Sequence, residues 1–350
     1  MRQIALLGNP GTKRTIYFME HAAFQAGLHV HFLDWNRWQE RLGGMNESIS
    51  ATEDTFLKID PPLWDSCSLE ELNVLTDDYR KKLSAISGLE DTLQLKFLNH
   101  PDAISALLNK QGCKSTLSKA GLPVTESIGK QIENSEQLLE TMNRRHMFQV
   151  FIKPINGSGA AGVAAFRWQP RTGQMVLYTC ALQENSTFQL VNTKRLRRFT
   201  EKNQILPLLN RILKLGCVVE RWYAKAEHNG FSYDLRAVMQ DESLDFLLAR
   251  LSNGPITNLH LNNHPLSAKE LHLPSWVMDS ITDLCRKATA CYPGLRSAGI
   301  DILLEKGSLR PRIIEMNGQG DLIYQDIYQD NVIYRHQARM MKEWQDGDNL

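Results

Sequence analysis

Apolar and polar positions follow two patterns along this chain, and the change from one to the other divides it. Residues 4–7 form an unbroken apolar run that ends in Gly-Asn-Pro-Gly, the pattern of a buried strand entering a turn. Residues 14–26 predict a helix stopped by Gly27, and residues 28–33 predict a second strand. This β-α-β opening predicts a small parallel α/β domain. Residues 41–55 are polar and predict a loop, and the charged stretch 68–86 predicts a helix. Further on, 105–120 predicts a helix capped by Gly121, and 135–145 another. Alternation and apolar runs predict strands at 148–152, 163–168, 218–223, 233–240, 243–251, 299–304 and 312–317. A helix over about 331–344 closes the chain. Frequent strands with a few helices predict α+β architecture after residue 100.

Between the strands at 148–152 and 163–168 lies Gly157-Ser158-Gly159-Ala-Ala-Gly162, a G-x-G-x-x-G string. Such a string serves a dinucleotide-binding turn, a lid over nucleotide phosphates, or a plain glycine hairpin. A dinucleotide turn needs a helix after the glycines, because the pyrophosphate sits on the helix N-terminus. Here a strand pattern follows and meets Pro170, which favours a lid or a hairpin. Lys153, on the apolar strand just before the loop, favours the lid: a lysine in such a strand needs an anionic partner, and a phosphate supplies one. Gly8-Asn-Pro-Gly-Thr-Lys13 has the wrong spacing for a Walker loop and reads as a turn.

A second constellation lies near the end. The strands 299–304 and 312–317 flank a turn at Lys306-Gly-Ser-Leu. A hairpin pivoting near Ser308 places Asp301 opposite Glu315, with Asn317 on the same face. Like charges directly opposite are destabilising unless a cation lies between them. Two carboxylates and an amide suit Mg2+ shared with phosphates. The competing reading is a solvated hairpin face that happens to be acidic.

Composition removes other classes. A chain of 350 residues predicts two or three domains. A net charge of +1 gives no general pull toward nucleic acid or an anionic membrane. No apolar run reaches the roughly 18 residues of a membrane span, and the N-terminus lacks a signal-peptide core, so a cytoplasmic location is expected. The six cysteines show no C-x-x-C and predict reduced, buried thiols. His260 and His264 are spaced i,i+4 but bracketed by Pro255 and Pro265, against a metal-binding helix. The basic run Lys194-Arg195-Leu-Arg197-Arg198 predicts a solvated helix face, with an acidic substrate or peptide as the alternative. Protein-kinase signatures are absent.

With these residues in hand, positions 94–320 resemble the ATP-grasp superfamily, in particular its glutathione synthetase and ribosomal-protein glutamate ligase branch. The resemblance runs in order through Phe97-Leu-Asn99-His-Pro101-Asp-Ala103, Asn109-Lys110, Ala120-Gly-Leu-Pro-Val124, Val150-Phe-Ile-Lys153-Pro and the loop 156–163. It continues through Cys217-Val-Val-Glu220-Arg-Trp-Tyr223, Asp234-Leu-Arg236, Ala249-Arg250, Thr257-Asn258-Leu259, Ala298-Gly-Ile-Asp301 and Glu315-Met-Asn317. It implies an α/β domain over 1–95, an ATP-grasp subdomain over 96–218 with both lysines and the lid, and a C-terminal subdomain over 219–350 with the metal-binding hairpin. After Asn317 the sequence Gly-Gln-Gly-Asp departs from the Ser/Thr-Pro-Gly of relatives that act on amino acids, so the resemblance stops short of the substrate contacts.

The resemblance implies an ATP- and Mg2+-dependent carboxylate ligase, with Mn2+ as an alternative ion, that forms an amide-type bond through an acylphosphate. It implies that Lys110 and Lys153 neutralise the α- and β-phosphates while Gly157, Ser158, Gly159 and Gly162 cover them. Glu220 is expected at the nucleotide rim, the backbone of Trp222 and Tyr223 at the adenine edge, and Glu227 at the ribose. Asp301, Glu315 and Asn317 are expected to hold the metal, Arg236 and Arg250 to face the γ-phosphoryl group, and Asn258 to contact substrate or phosphate. The partners implied are a small-molecule or peptide carboxylate and an amine or other nucleophile, without nucleic acid or membrane; a homodimer is compatible. The competing functions are a non-catalytic nucleotide-responsive protein and a dinucleotide-dependent enzyme.

Overall fold

A computed structural model describes residues 2–41, 53–64, 68–128, 131–157, 159–184, 188–261, 263–319 and 331–347. The first sheet is parallel, with β1 (Gln3–Gly8), β2 (Val30–Asp34), β3 (Thr55–Ile59) and β4 (Leu95–Phe97) in the order β2-β1-β3-β4. Its run of apolar residues reflects burial on both faces. Ala5, Leu7 and Leu57 pack beneath α3 (Leu72–Ser87) through Tyr79, Leu83 and Ile86. Ile4, Leu6 and Phe56 face the other way, against Phe18 and the C-terminal helix. The first helix begins at Lys13 with Thr12 as N-cap and continues as a π-helix over Tyr17–Ala23.

The second sheet is antiparallel: β5 (Gln149–Pro154), β6 (Ala164–Trp168), β7 (Met175–Gln183), β8 (Leu190–Phe199) and β9 (Cys217–Arg221), in the order β8-β7-β6-β5-β9. Helices Ser135–Arg144 and Lys202–Leu213 cover one of its faces through Leu138, Met142, Ile205 and Leu209. The third sheet contains β10 (Glu227–His228), β11 (Phe231–Gln240), β12 (Ser243–Ser252), β13 (His264–Ser267), β14 (Ser297–Leu304) and β15 (Pro311–Asn317). It is backed by the helices Pro101–Leu107, Lys110–Lys119 and Ser275–Ala290 through Leu107, Leu117, Ile281 and Leu284.

Several expectations change. The helix expected over 105–120 is two helices, because Asn109 adopts extended backbone and its Oδ1 accepts the N–H of Gly112 at 2.8 Å. Asparagine competes for backbone in this way, and as an N-cap it starts the second helix at Lys110. The basic run 194–198 lies in β8, an edge strand, and not on a helix. Of the expected loop 41–55, residues 42–52 lie outside the described residues and Thr55 begins β3. The expected segments 1–95, 96–218 and 219–350 do not coincide with the sheets. Leu95 begins β4, Val218 lies inside β9, and the Lys110 helix packs on the third sheet. The helix Val332–Asp346 belongs to the first sheet's core through Tyr334, Met340, Met341 and Trp344. Among the described residues no helix is long and apolar enough to cross a membrane.

If the C-terminal helix is part of the N-terminal core, Met341→Ala should cost about 2–5 kcal/mol, as a fully buried methionine does. Urea denaturation should show one transition moved to lower urea. An unchanged midpoint would mean that the helix merely rests on the surface.

Candidate active site

Two buried charge clusters face each other across the space between the second and third sheets. The first is built on β5 and β9. Glu220 is fully buried, yet it accepts Thr125 Oγ1 at 2.6 Å and Lys153 Nζ at 3.0 Å, and Lys114 Nζ lies 3.3 Å away. Burial alone would raise the Glu220 pKa; Lys114 and Lys153 outweigh it and hold the carboxyl below its ordinary range. Burial also pulls Lys153 down, but Glu220, Glu315 and Asp301 together more than compensate, so it stays charged. For Lys110 and Lys114 burial wins and both are lowered. Lys110 donates to the carbonyl of Gly157, tying its helix to the glycine loop.

The second cluster lies on β11, β12 and β14, where adjacent strands place Asp234 opposite Arg250 and Arg236 opposite Asp301. Arg250 Nε donates to Asp234 Oδ1 at 2.7 Å, and another of its nitrogens lies 3.0 Å from Asp301 Oδ2. Arg236 Nε is 2.5 Å from Asp301 Oδ1 without hydrogen-bond geometry, so both atoms are buried without a hydrogen-bond partner. Lys225 reaches Thr257 Oγ1 at 2.7 Å and Asp234 Oδ2 at 3.4 Å. Burial opposes the Asp234 charge, but Arg250 and Lys225 hold its pKa far below the usual carboxylate range.

Asp301 and Glu315 are opposite each other in the β14–β15 ladder. The hairpin register alone would not achieve this: from Leu304↔Pro311 to Ile302↔Ile313 it points Asp301 at Ile314. A bulge between Asp301 and Ile302 inserts one residue and brings Glu315 into place. The expectation that these carboxylates require a cation between them needs correcting, since Arg236 and Arg250 already neutralise Asp301. The donors nevertheless fit Mg2+. Asp301 and Glu315 line the small cavity beneath the glycine loop and Glu315 and Asn317 the cleft beside it, so all three offer oxygen ligands around Glu315, and Asp301 Oδ1 accepts no hydrogen bond. No group of three His, Cys, Asp or Glu suited to a metal occurs among the described residues, so phosphates would complete the coordination.

The glycine string connects β5 to β6, strand to strand, which removes the dinucleotide reading. Gly157, Gly159 and Gly162 all have positive φ, and a Cβ at Gly162 would lie 2.8 Å from Pro154 Cγ. Asn156 and Asn192 anchor the two ends of the loop, through Asn73 and Arg80 at one end and the Gly162 N–H at the other. Beneath the loop lies a cavity of about 90 Å³ with an apolar side of Phe151, Ala160, Val163, Ile256 and Leu303. Lys110, Lys153, Gly157, Glu220, Tyr223, Arg250, Asn258, Asp301 and Glu315 all line it. An adjoining cleft of about 340 Å³ is lined by Lys110, Arg236, Arg250, Glu315 and Asn317, with Arg14, Pro61 and Trp64 from the first domain.

Three expected residues stand elsewhere. Glu220 is at the cavity floor and not at its rim. Trp222 packs against Phe151 and Tyr178, and its N–H is taken by the Gln149 carbonyl at 3.0 Å. Glu227 is exposed, pairs with Lys306 at 2.7 Å, and lies outside the cavity. Ser158 is outside the described residues. His260 stands by Gly159 at the cleft while His264 packs against Phe231, so the two do not form a metal pair. Lys114, Thr125, Lys225, Asp234 and Thr257 had gone unnoticed as site residues. Three of the five carry a signal: Lys114 is one turn beyond Lys110, Asp234 is two residues before Arg236, and Thr257 adjoins Asn258.

The structure is similar to several solved ligases. A Chryseobacterium gregarium RiPP-associated ATP-grasp ligase, solved with ADP and a leader and core peptide, superposes with a TM-score of 0.63 at 12% identity over 98% of this chain and 97% of that one. The chain has the ATP-grasp fold. The macrocyclase MdnC of Microcystis aeruginosa, bound to precursor peptide MdnA, gives 0.62 at 13% identity over 97% and 99%. The ATP-grasp ligase PsnB, with precursor peptide PsnA2 and AMPPNP, gives 0.57 at 15% over 97% and 96%. No family model and no curated protein matches the sequence.

Two outcomes follow from the charge clusters. Glu220→Ala strands two buried lysines and should cost about 3–5 kcal/mol in urea denaturation. Glu220 and Asp234 have lowered folded pKa values, so their contribution to stability is full above about pH 4, the unfolded carboxylate range. It is lost as pH falls through the folded values, so urea midpoints should hold down to that range and then drop. Midpoints independent of acid would contradict both assignments.

Proposed function

We propose that this protein is an ATP-dependent ligase that phosphorylates a carboxylate and transfers the acyl group to an amine or another nucleophile. The observation that carries the proposal is the convergence of Lys110, Lys153, Arg250, Asp301 and Glu315 on one cavity beneath a glycine loop, with Arg236 on the adjoining cleft that shares Lys110, Arg250 and Glu315. In this reading Lys110 and Lys153 neutralise nucleotide phosphates, and the glycine loop covers them and excludes water. Tyr223 and the apolar side of the small cavity take the adenine. Arg236 and Arg250 stabilise charge on the γ-phosphoryl group as its bond to the leaving oxygen breaks and a bond to the carboxylate oxygen forms. The nucleophile then attacks the acylphosphate carbon, expels phosphate and releases its proton. Asp301, Glu315 and Asn317 would hold Mg2+, which when bound would neutralise charge on the β- and γ-phosphates.

The acid we assign is a carboxylate carried by a peptide. The cleft is roomy, and its outer wall of Pro61, Pro62, Leu63 and Trp64 leaves Leu63 63% exposed beside the reacting groups. The fold neighbours that bind precursor peptides, and the resemblance of residues 94–320 to the glutamate-ligating branch, support the same class. The described cysteines are unpaired, which supports a reducing, cytoplasmic setting.

Incubation with ATP, Mg2+ and a panel of peptides and carboxylic acids should release ADP, and hydroxylamine should trap the activated acid as a hydroxamate. Glu315→Gln should lower turnover on the order of 100-fold or more with the fold retained. Lys153→Ala should weaken ATP binding directly. Tight ATP binding without hydroxamate from any acid would favour a non-catalytic nucleotide-binding protein.

A further inference from the structure

Beside Asn317 lies a chamber of about 30 Å³ lined by Lys58, Asp60, Ser297, Gly299, Asn317 and Gln337. It shares Arg14, Asn317, Gly318 and Gln319 with the larger cleft. Three buried polar atoms on its walls have no hydrogen-bond partner: Asp60 Oδ2, Gln337 Oε1 and Asn317 Nδ2. Asp60 and Gln337 are each only 4% exposed. The other ends of these side chains are committed. Asp60 Oδ1 accepts from Lys58, and Gln337 Nε2 donates to Ser297 Oγ at 3.1 Å. Buried polar atoms are seldom left unpaired, so three orphans on one small chamber point to an occupant.

The chamber's size and charge identify it. A water needs roughly 10–15 Å³ of such space, so one fits readily and two at most. Among the described residues, a cation would have to enter beside the Lys58 ammonium and the Arg14 guanidinium with one carboxylate in reach, and an anion would face two acceptor oxygens. A neutral water meets both demands, since it donates twice and accepts.

We propose that a bound water in this chamber donates to Asp60 Oδ2 and Gln337 Oε1, accepts from Asn317 Nδ2, and thereby sets which way the Asn317 amide faces. The backbone around Asn317 is already fixed. Asn99 Nδ2 holds the Gly318 carbonyl at 2.6 Å and the Ser297 carbonyl at 2.7 Å, and Asn99 Oδ1 accepts from the N–H groups of Arg296 and Ser297. What remains is rotation of the amide. With nitrogen toward the chamber, a water's two protons meet two acceptors and its lone pair meets one donor. A reversed amide would present three acceptors to the water's two protons and leave the third dependent on Lys58 or Arg14, which line the same chamber, so the water favours the orientation that turns Oδ1 away from the chamber, toward the cleft that Asn317 also lines. Asp60 and Gln337 are then positioning residues for the metal site, and they carry the first sheet and the C-terminal helix into it.

This inference rests on the ligase reading for the metal but not for the water, and the two are tested apart. A high-resolution crystal structure should show one density peak within hydrogen-bonding distance of all three atoms, and a chamber empty of density would overturn the proposal. Calorimetric titration of ADP with and without Mg2+ reads the coupling. Gln337→Leu should weaken the Mg2+-dependent part of ADP binding about tenfold, as loss of an outer-shell partner does, and leave Mg2+-free binding unchanged. Met340→Ala loosens the same helix without touching the chamber and should leave both unchanged. Equal effects in the two variants would reduce Gln337 to a structural residue and overturn the positioning role. A dependence on potassium or ammonium ions in the wild type would overturn water as the occupant. If the wild type binds ADP with no Mg2+ effect at all, the metal assignment fails while the density still decides the water.

Discussion

Everything at this site depends on burying Asp301 between two arginines. A carboxylate taken out of water is costly unless opposite charge and hydrogen bonds replace the water. Here Arg236 arrives from one neighbouring strand, opposite Asp301 in the ladder, and Arg250 from the strand beyond it. Gly299 makes room for the first of them, since a Cβ there would lie 2.7 Å from an Arg236 nitrogen. The compensation is incomplete by design of the geometry: Asp301 Oδ1 and two Arg236 nitrogens are left without hydrogen bonds. Two of these atoms, Asp301 Oδ1 and Arg236 Nε, lie 2.5 Å from each other and so compensate one another in charge.

The opposing cluster follows the same logic with the same signs. Glu220, on the second sheet, is one carboxylate among Lys153 and, from the helix Lys110–Lys119, Lys114 and the more distant Lys110, so this cluster is also net positive. Two half-compensated clusters on facing sheets are a poor way to stabilise a protein, because each buried charge carries a desolvation cost. They are a good way to bind a polyanion whose charges complete both. The outer part of the cleft carries few charges: Pro61, Leu63 and Trp64 form an apolar wall, and Arg14 lines it as well.

The first and third sheets are tied together by polar side chains as well as by the packing of Ile333 on Val238, Phe246 and Leu248. Gln319 joins the end of β15 to the first sheet through Tyr79 and the Ile59 carbonyl. Asn99 joins the start of β14 to Gly318. The C-terminal helix packs on the first sheet while Gln337 bonds Ser297 of the third. Such ties place the β14–β15 hairpin against a sheet more than two hundred residues away in sequence, and they make the geometry of Asn317 depend on distant parts of the chain.

Period and punctuation along the chain determined a good deal by themselves. The parallel opening and the strand–glycine–strand order were legible because each depends on neighbours in sequence: a run of apolar residues and a proline after a strand. The hairpin itself was legible too, but its pairing of Asp301 with Glu315 comes from a bulge that the short turn does not announce. The ordered lysines, arginines and acids were legible as a set through resemblance, although 12–15% identity to the fold neighbours left only their order to go on. Tertiary structure decided the rest. It split the helix at Asn109, turned the basic run 194–198 into an edge strand and placed Glu220 beneath the lysines instead of at the rim. It also removed Trp222 and Glu227 from the cavity. The physical reason is common to these cases. Whether a charged side chain is solvated, paired or buried depends on partners brought by other strands and helices, and no local pattern records what will lie across from it once the sheets close.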